Sequence, residues 1–577
     1  MRRVKQDQQV TLNHVFTADF ETTSESNLTI DGEVRVYIWS LINVGTSDQY
    51  YGYDIESFLR KIKEVECTIC YFHNLKFDGN FLLYWMVTHG EKFNLVAPNG
   101  EWFYLQWRGI EFRDSAKKVK LSVAGLAVML GIPHKEDPRD ENGKYPWDYY
   151  IPIGYIPPFE TVHYCIHDSE IVAEFIRREW AQGRTRLTSS SEAFHNAKQQ
   201  LPKYKTWFPQ LPADIDSFVR HGYRGGVCAL NPAYANKEIE HLYNYDVNGL
   251  YGYVMQSAEL PYGQPFWREP CGPHEMGFVH FNCEFYVKKN KFPMMQVKRN
   301  VQYANRESEY LRESNGMTEL WMSSIDYKMF KSHYDIENDW GYEWMSYQTR
   351  NDMLKPIIDK NIQEKAYWSD KEHYDSYRRT KAKDNTNMLY GSWALNPIGD
   401  MVTPYINKDG ALSLHHEEEI RQARYIPIGA AITANARAIT IGAIDTNYEH
   451  WIYSDTDSMY LTKKAVGIKV DDTESGAWKM EGPENDGSFY YGKFLRQKCY
   501  ALADANHKIY SHTDKYGNWT SKCVCAGMPV EAKKAVTWGK FKLGYPFIRK
   551  QACIVKGGIC ILPVEYHIGQ DLEYDKA

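Results

Sequence analysis

No apolar run in the chain is long enough to cross a bilayer. The longest, around 121–132, stops well short of the ~20 residues that a spanning helix needs. The N-terminal stretch MRRVKQDQQVTLN lacks the apolar segment of a signal peptide. Both absences imply a soluble protein. Regular cysteine pairing is also missing: eleven cysteines are scattered through the chain, which suits reduced thiols in a cytoplasm. CTIC at 67–70 has no second pair at zinc-site spacing and CVC at 523–525 is too tight to serve, so both read as small buried side chains. There is no low-complexity tract and no obvious repeat. What remains is a globular composition, 43% hydrophobic and 25% charged, in 577 residues, too many for one ordinary core. With 68 basic and 74 acidic residues the formal charge is −6, which argues against a wholly basic nucleic-acid coat. It leaves room for a cleft with basic walls and a carboxylate floor.

The first ~190 residues alternate strand-like and helical runs, the pattern of an α/β domain. VFTADFETT and 68–72 read as strands, GNFLLYWMV as a helix, 159–181 as a long helix and TSSS at 188–191 as a linker. Beyond 192 the pattern is less regular. LYNYDV (242–247) and WIYSDTDSMYL (451–461) look like strands, 354–390 like one or two helices, and NKDG (407–410) marks a hairpin through its Asp-Gly pair. The stretch 531–556 has seven Lys/Arg against one Glu, a local basic surface.

Three groups of residues carry chemistry. Asp19 and Glu21 share one face of a strand, because side chains alternate along it. Asp78 follows another strand-like run, and Tyr164 and Asp168 lie four apart on a helical segment, pointing the same way. Four carboxylates on two strands and a helix suit a pair of divalent cations, Mg²⁺ or Mn²⁺ in preference to zinc, and hydrolysis of a phosphodiester, with Tyr164 orienting a water. In the second group Asp246 ends a strand while Asp455 and Asp457 lie two apart in YSDTDS. Three carboxylates aimed at one place call for a positive species, and Mg²⁺ on a triphosphate would serve nucleotidyl transfer. The third is RTKAKDNTNMLYG, where Arg379, Lys383, Asn387 and Tyr390 form one helical stripe, polar and basic enough to hold a triphosphate. Lys371 joins it only if the chain folds back between 371 and 383.

Taken in order, these motifs resemble family B DNA polymerases. FETT with Asp19, HNLKFDG with Asp78 and Tyr164-x3-Asp168 look like that family's three exonuclease motifs. DVNGLYG at 246–252, Lys383-x3-Asn387-x2-Tyr390-Gly391 and YSDTDS look like its three polymerase motifs, LRQKCY at 495–500 like its Lys-x-Tyr motif, and YRGG at 223–226 like its interdomain linker. An insert of about 137 residues between Asp246 and Lys383 and a smaller one at 397–424 resemble the protein-primed branch of bacteriophage type. The resemblance implies an α/β and α+β multidomain fold: an RNase-H-like 3′–5′ exonuclease domain (1–187), then a right-hand polymerase. Its parts would be palm (188–257 and 425–530), fingers (355–396), thumb (531–577), and two inserts at 258–354 and 397–424, the first docking a terminal protein and the second supporting strand displacement and processivity.

It also implies roles. Asp19, Glu21, Asp78 and Asp168 would hold two exonuclease metals, with Tyr164 catalytic beside them. Asp246, Val247, Asp455 and Asp457 would serve the two polymerase metals. Tyr251, Lys371, Lys383, Asn387 and Tyr390 would bind the incoming nucleotide, Tyr251 excluding a ribose 2′-hydroxyl. His73, Asn74, Phe77, Tyr223, Arg224, Gly225, Gly226, Lys498 and Tyr500 would contact DNA. Ser115 matches a single-strand contact and Lys135 an auxiliary lysine. Gly249 and Gly252 stand where the family has Ser and Pro, and their presence should loosen the turn after Asp246. The implied partners are template and primer DNA, dNTPs and a terminal-protein primer, for a monomer in a host cytoplasm. A stand-alone exonuclease with a DNA-clamping C-terminal half is the alternative, and a non-catalytic DNA-binding protein a further one. A reverse transcriptase fits less well, since that class carries two adjacent aspartates where Thr456 separates these.

Overall fold

The computed structural model describes residues 10–133, 138–296, 310–517 and 519–569. Lys135 lies outside them. Among the described residues no helix is long and apolar enough to cross a membrane.

The N-terminal domain is built on a seven-stranded sheet. Its centre is three parallel strands, Val15–Thr22, Ile69–Phe72 and Ile110–Asp114, and antiparallel strands extend both edges. The strand Val15–Thr22 shows why the sheet is covered on both sides. Phe16, Ala18 and Phe20 enter one core with Phe58, Leu82 and Leu83, while Val15 enters a second core with residues of the helix Phe159–Ala181. Thr17, Asp19 and Glu21 alternate with the first set and so face that helix. The Thr17 hydroxyl donates to Ser169 O at 2.8 Å. The helix spans the residues its sequence predicts.

Two segments depart from the sequence reading. Asp78 is not at a strand end. Asn74 adopts φ +74 directly after the strand Ile69–Phe72 and starts the helix Leu75–Thr88, so Asp78 sits in its first turn. One strand and two helices therefore carry the four carboxylates. TSSS is not a linker either. Thr188 caps the helix Ser189–Gln200, its hydroxyl accepting from Ser191 N–H at 3.0 Å while Ser191 Oγ accepts from Thr188 N–H at 3.2 Å.

A second, eight-stranded antiparallel sheet organises the rest. Along it lie Cys523–Cys525, Cys499–Ala503, Ser488–Arg496, Glu238–Val247, Ser458–Leu461, Trp451–Asp455 and Cys228–Leu230, with Trp478–Met480 also on Glu238–Val247. The helix Ile426–Thr446 is buried along most of its length in the largest core. Inside it Arg437 pairs with Asp326 (2.6 Å), and Ser323 caps the helix Ser324–His333, its hydroxyl accepting from Asp326 N–H at 3.1 Å. That pair ties the sheet to a four-stranded unit made by Leu260–Phe266, Glu275–Val287, Thr318–Ser323 and Tyr334–Arg350. The Asp-Gly hairpin forms as expected, Ile398–Ile406 against Leu412–Ile420, with Asn407 Oδ1 accepting from the amides of Asp409 and Ala411. A C-terminal hairpin, Pro546–Val555 with Gly558–His567, sets its turn between two units: Lys556 bridges to Ala411 of the Asp-Gly hairpin, and Lys556 O accepts from Val34 N–H of the first domain at 3.0 Å.

The region 354–390 resolves into two helices, Lys355–Tyr367 and Ser376–Trp393, packed together across a reversal at 368–375. The second is locked to the N-terminal domain by a buried charge cluster. Glu179 meets Lys381 Nζ (2.9 Å), Lys118 Nζ (3.2 Å), Arg184 Nε (3.4 Å) and the Tyr377 hydroxyl (2.7 Å). Burial alone would raise its pKa, but Lys381, Lys118 and Arg184 outweigh that and hold it down at about 2. Glu179→Gln would leave three cations with almost no exposure and no full counter-charge. A loss of about 3–5 kcal/mol in stability is expected, read as a shift of the denaturant midpoint at neutral pH. An unchanged midpoint would show that the cluster is dispensable.

Candidate active sites

The four N-terminal acids converge. The Asp78 carboxylate accepts from Phe20 N–H at 3.2 Å, between Asp19 and Glu21 on the strand. Burial pushes the Asp78 pKa well up, and the charge on Asp19 adds to it. Asp168 reaches the same place from the helix Phe159–Ala181, where its charge, with those of Asp19 and Glu21, bears on Cys165. Glu21 and Tyr164 both bear on the Tyr37 hydroxyl, which burial already pushes up. Around this centre Asn74 is exposed and Phe77 half-buried. His73 is fixed by both ring nitrogens, Nδ1 2.9 Å from Ser115 Oγ and Nε2 2.8 Å from Leu121 O. Ser115 is fully buried and donates to Phe72 O, so it braces His73 and presents nothing to a strand of DNA. Asp114, missed in the sequence, accepts from the amides of Asn74 and Ala116 and holds the left-handed turn at Asn74.

The second centre forms on the central sheet. YSDTDS is not a continuous strand but a hairpin: Trp451–Asp455 pairs with Ser458–Leu461, and Thr456 turns the chain at φ +62. A β-branched residue is strained there, and the surroundings hold it. Its amide donates to Val227 O (2.5 Å) and its carbonyl accepts from the Thr440 hydroxyl (2.8 Å). A Cβ on Gly226 would come within 2.8 Å of Thr456 Cγ2, so only glycine fits beneath the turn. Asp246 lies opposite Ser458, and Val247 N–H donates to Asp457 O at 2.8 Å, bringing Asp246 and Asp457 side by side. Burial, then the charges of Asp457 and Glu481, raise the Asp246 pKa to about 7. Asp457 is also raised, by burial and then by Asp455 and Glu481. Asp455 differs: Lys498 Nζ sits 2.7 Å from its carboxylate. Glu481 is a fourth acid that the motifs do not include. It directly follows the strand Trp478–Met480, whose Lys479 pairs with Asp246, and no sequence signal marks it.

The nucleotide-binding candidates assemble beside this centre. Tyr251 and Tyr390 stack at 4.0 Å between centroids and 13° between planes, and the Tyr223 hydroxyl is 3.2 Å from that of Tyr390. Gly249, at φ +63, starts the helix Leu250–Ser257 that carries Tyr251. Gly252 is buried, and a Cβ on it would come within 3.0 Å of Thr386 Cγ2 on the helix Ser376–Trp393. Gly249 thus supplies the left-handed turn, and Gly252 lets the helix Ser376–Trp393 come close. Arg379, Lys383, Asn387 and Tyr390 share the outward side of that helix, while Lys381, Leu389 and Trp393 are buried. Lys365, on the facing helix, has its pKa lowered by burial and then by Arg379 and Lys383, which marks a three-cation patch. Lys371 lies in the exposed reversal between the helices.

Tyr500 bonds through its hydroxyl to that of Tyr460 (3.2 Å), beneath Lys498. Gly225 is exposed and Tyr223 half-buried, but Arg224 departs from the expectation of a DNA contact. It is buried, donates to the carbonyls of Gly222, Gln296 and Trp321, and is pulled down to about 10 by burial. It shapes the loop from within, helped by Arg437 donating to Gly225 O at 2.7 Å.

Known proteins fit this geometry. The family model for DNA polymerase type B, organellar and viral, matches residues 159–472. The chain belongs to that family. The DNA polymerase of Bacillus phage phi29 is 30% identical over 95% of this chain and 98% of its own, and that of Streptococcus phage Cp-1 is 27% identical over 96% and 98%. The structure of phi29 DNA polymerase complexed with primer-template DNA and incoming nucleotide substrates is similar at a TM-score of 0.84, with 29% identity over 96% of this chain and 99% of that one. This polymerase therefore has the multidomain fold of an RNase-H-like exonuclease domain followed by a right-hand polymerase, in the phage branch that the two inserts resemble. It is a DNA-directed DNA polymerase, and enzymes of this family use divalent metal ions. Both carboxylate groups suit such ions: all the acids are oxygen donors, and at Asp78, Asp246 and Asp457 burial first and then neighbouring carboxylates raise the pKa, a cost that a cation would relieve.

A pH dependence follows from Asp246. Its pKa is raised in the fold, so the folded state keeps a proton that the unfolded chain has lost, and stability falls as pH rises from about 3.8 to about 7. In chelator, the denaturant midpoint of the wild type should decline across that window more steeply than that of Asp246→Asn. Parallel curves would contradict the assignment.

Proposed function

We propose that this polymerase replicates a linear genome by protein priming and strand displacement, and that its N-terminal domain proofreads as a 3′–5′ exonuclease. The supporting observation is the presence of two separate carboxylate centres on two different sheets. Divalent ions, Mg²⁺ or Mn²⁺ and two at each centre, would supply the positive charge that phosphoryl transfer needs. In the synthesis centre Asp246, Val247 and Asp457 would hold them, with Glu481 close by. Asp455, neutralised by Lys498, would face the primer end. Arg379 and Lys383, helped by Lys365 and, from the turn, Lys371, would hold the triphosphate, with Asn387 exposed on the same side of the helix. The stacked pair Tyr251 and Tyr390 would frame the base and sugar. In the degrading centre Asp19, Glu21, Asp78 and Asp168 would hold the ions and Tyr164 would orient the water. Asn74 and Phe77 would meet the frayed strand over a braced His73.

The domains would be exonuclease 1–187, palm 188–257 and 425–530, fingers 355–396 and thumb 531–577. The insert 258–354 holds the four-stranded unit and would dock the terminal protein. The insert 397–424 is the Asp-Gly hairpin. Its bridge to the thumb at Ala411 and Lys556, and the bond from Lys556 to Val34, link thumb, insert and exonuclease domain into a ring that would enclose DNA. Such a ring favours processive synthesis by a monomer in the host cytoplasm. The deciding experiment is extension of a terminal-protein primer against a DNA primer, with Mg²⁺ and dNTPs; extension of the DNA primer alone would remove protein priming from the account.

Tyr251 gives a further test. Its ring stacks on that of Tyr390, and the helix that carries it starts at the left-handed Gly249. Tyr251→Val should weaken discrimination against ribonucleotides by at least about tenfold, measured as the ratio of kcat/KM for dNTP and rNTP. Unchanged discrimination would mean that another residue excludes the 2′-hydroxyl.

A further inference from the structure

The centre around Asp19 holds a donor of a different kind. The helix that carries Asp168 also carries Cys165, one turn earlier, and Cys165 Sγ lies 3.5 Å from Asp19 O and 3.4 Å from Ser40 Oγ. One ligand atom each of Asp19, Glu21 and Cys165 fall within 4.8 Å of one another. The thiol is fully buried, and the carboxylates of Asp19, Glu21 and Asp168 all bear on it. Among the described residues one other group of this kind occurs, Asp370 with Glu372 and His373, and it is exposed and has no thiol.

We propose that Cys165 makes this centre a site for thiophilic divalent cations of the zinc and cadmium kind, bound by Sγ and by one oxygen each of Asp19 and Glu21. The inference rests on the nuclease reading of the same pocket. Zinc binds thiolate at about 2.3 Å and carboxylate at about 2.0–2.2 Å, so small side-chain rotations bring a set already within 4.8 Å onto one ion. Binding exchanges the thiol proton for the metal: the S–H bond breaks, an S–metal bond forms and the proton leaves to water. Mg²⁺ and Mn²⁺ are hard ions that gain little from sulfur. The pocket therefore separates the two metal classes. Hard ions support degradation, and a soft ion is retained and blocks it.

The test uses the full chain with Cys165→Val and Cys165→Ser. Titration with Cd²⁺ is followed by thiolate-to-cadmium charge-transfer absorption, and Cd²⁺ inhibition of Mg²⁺-supported single-strand degradation is measured in parallel. The wild type should show an absorbing component that both variants lack, and inhibition at a Cd²⁺ concentration about tenfold lower. Synthesis, made at the other centre, should be equal in all three and shows that the variants fold. Identical absorption in wild type and variants, or identical inhibition, overturns the proposal. A missing component together with no degradation by the wild type in Mg²⁺ would leave the metal site standing and overturn the nuclease reading instead.

Discussion

Asp457→Asn is expected to abolish nucleotide incorporation, by a factor on the order of a thousand or more, while degradation of single strands continues at the wild-type rate. The substitution keeps the shape of the side chain and removes its charge. Asp457 stands at the turn of the hairpin, adjacent to Asp246 through the bond from Val247 N–H to its carbonyl, and it is the acid whose charge most raises the Asp246 pKa. Losing it takes away half of the pair that would hold the ions, and the rest of the centre stays built because the turn is fixed by backbone bonds to Val227 and Thr440. Asp455→Asn should behave differently. It frees Lys498, so primer binding should suffer along with the rate. Steady-state extension of a labelled primer, with degradation assayed on the same preparation, measures both activities. Equal loss of the two would mean that one centre serves both.

The opposite separation is expected from Asp19→Ala combined with Asp78→Ala. Degradation should fall by at least about a thousandfold and extension of a matched primer should be unaffected. The two acids belong to the first sheet and to the helix that follows its second parallel strand, whereas the hairpin centre is built on the other sheet. The fold should survive. Asp78 is buried and held in an unfavourable charge environment, so removing these carboxyls relieves repulsion at the same time as it opens space. Survival of degradation in the double variant would remove the N-terminal centre from the mechanism.

Much of the site was legible because chemistry and spacing are local. Asp19 and Glu21 alternate on a strand, Tyr164 and Asp168 share a helix face, and the stripe from Arg379 to Tyr390 lies on one side of one helix. The helix Phe159–Ala181 and the Asp-Gly hairpin could be placed for the same reason. What was hidden depends on contacts between distant residues. Glu179 finds Lys381, and Arg437 finds Asp326, through folding alone. Arg224 was expected to contact DNA because YRGG resembles the family's linker motif, but three carbonyls take its donors. Thr188 through Ser191 misled for another reason, since the hydroxyls that make a flexible linker polar also make a helix cap. Asp78 was assigned to a strand because the left-handed turn at Asn74 leaves almost no gap between strand and helix. Glu481 was missed because it lies outside any motif and gains meaning only from the pairing of Trp478–Met480 with the strand of Asp246.

The central claim is that two sets of acids, one in the N-terminal domain and one on the central sheet, gather divalent cations at two places. Crystals of the wild-type chain with primer-template DNA, grown with Mn²⁺ in place of Mg²⁺, would show those ions directly by anomalous scattering. The expected map has manganese between Asp246 and Asp457 and, separately, among Asp19, Glu21, Asp78 and Asp168. Manganese at only one of these places, or bound elsewhere on the chain, would contradict it.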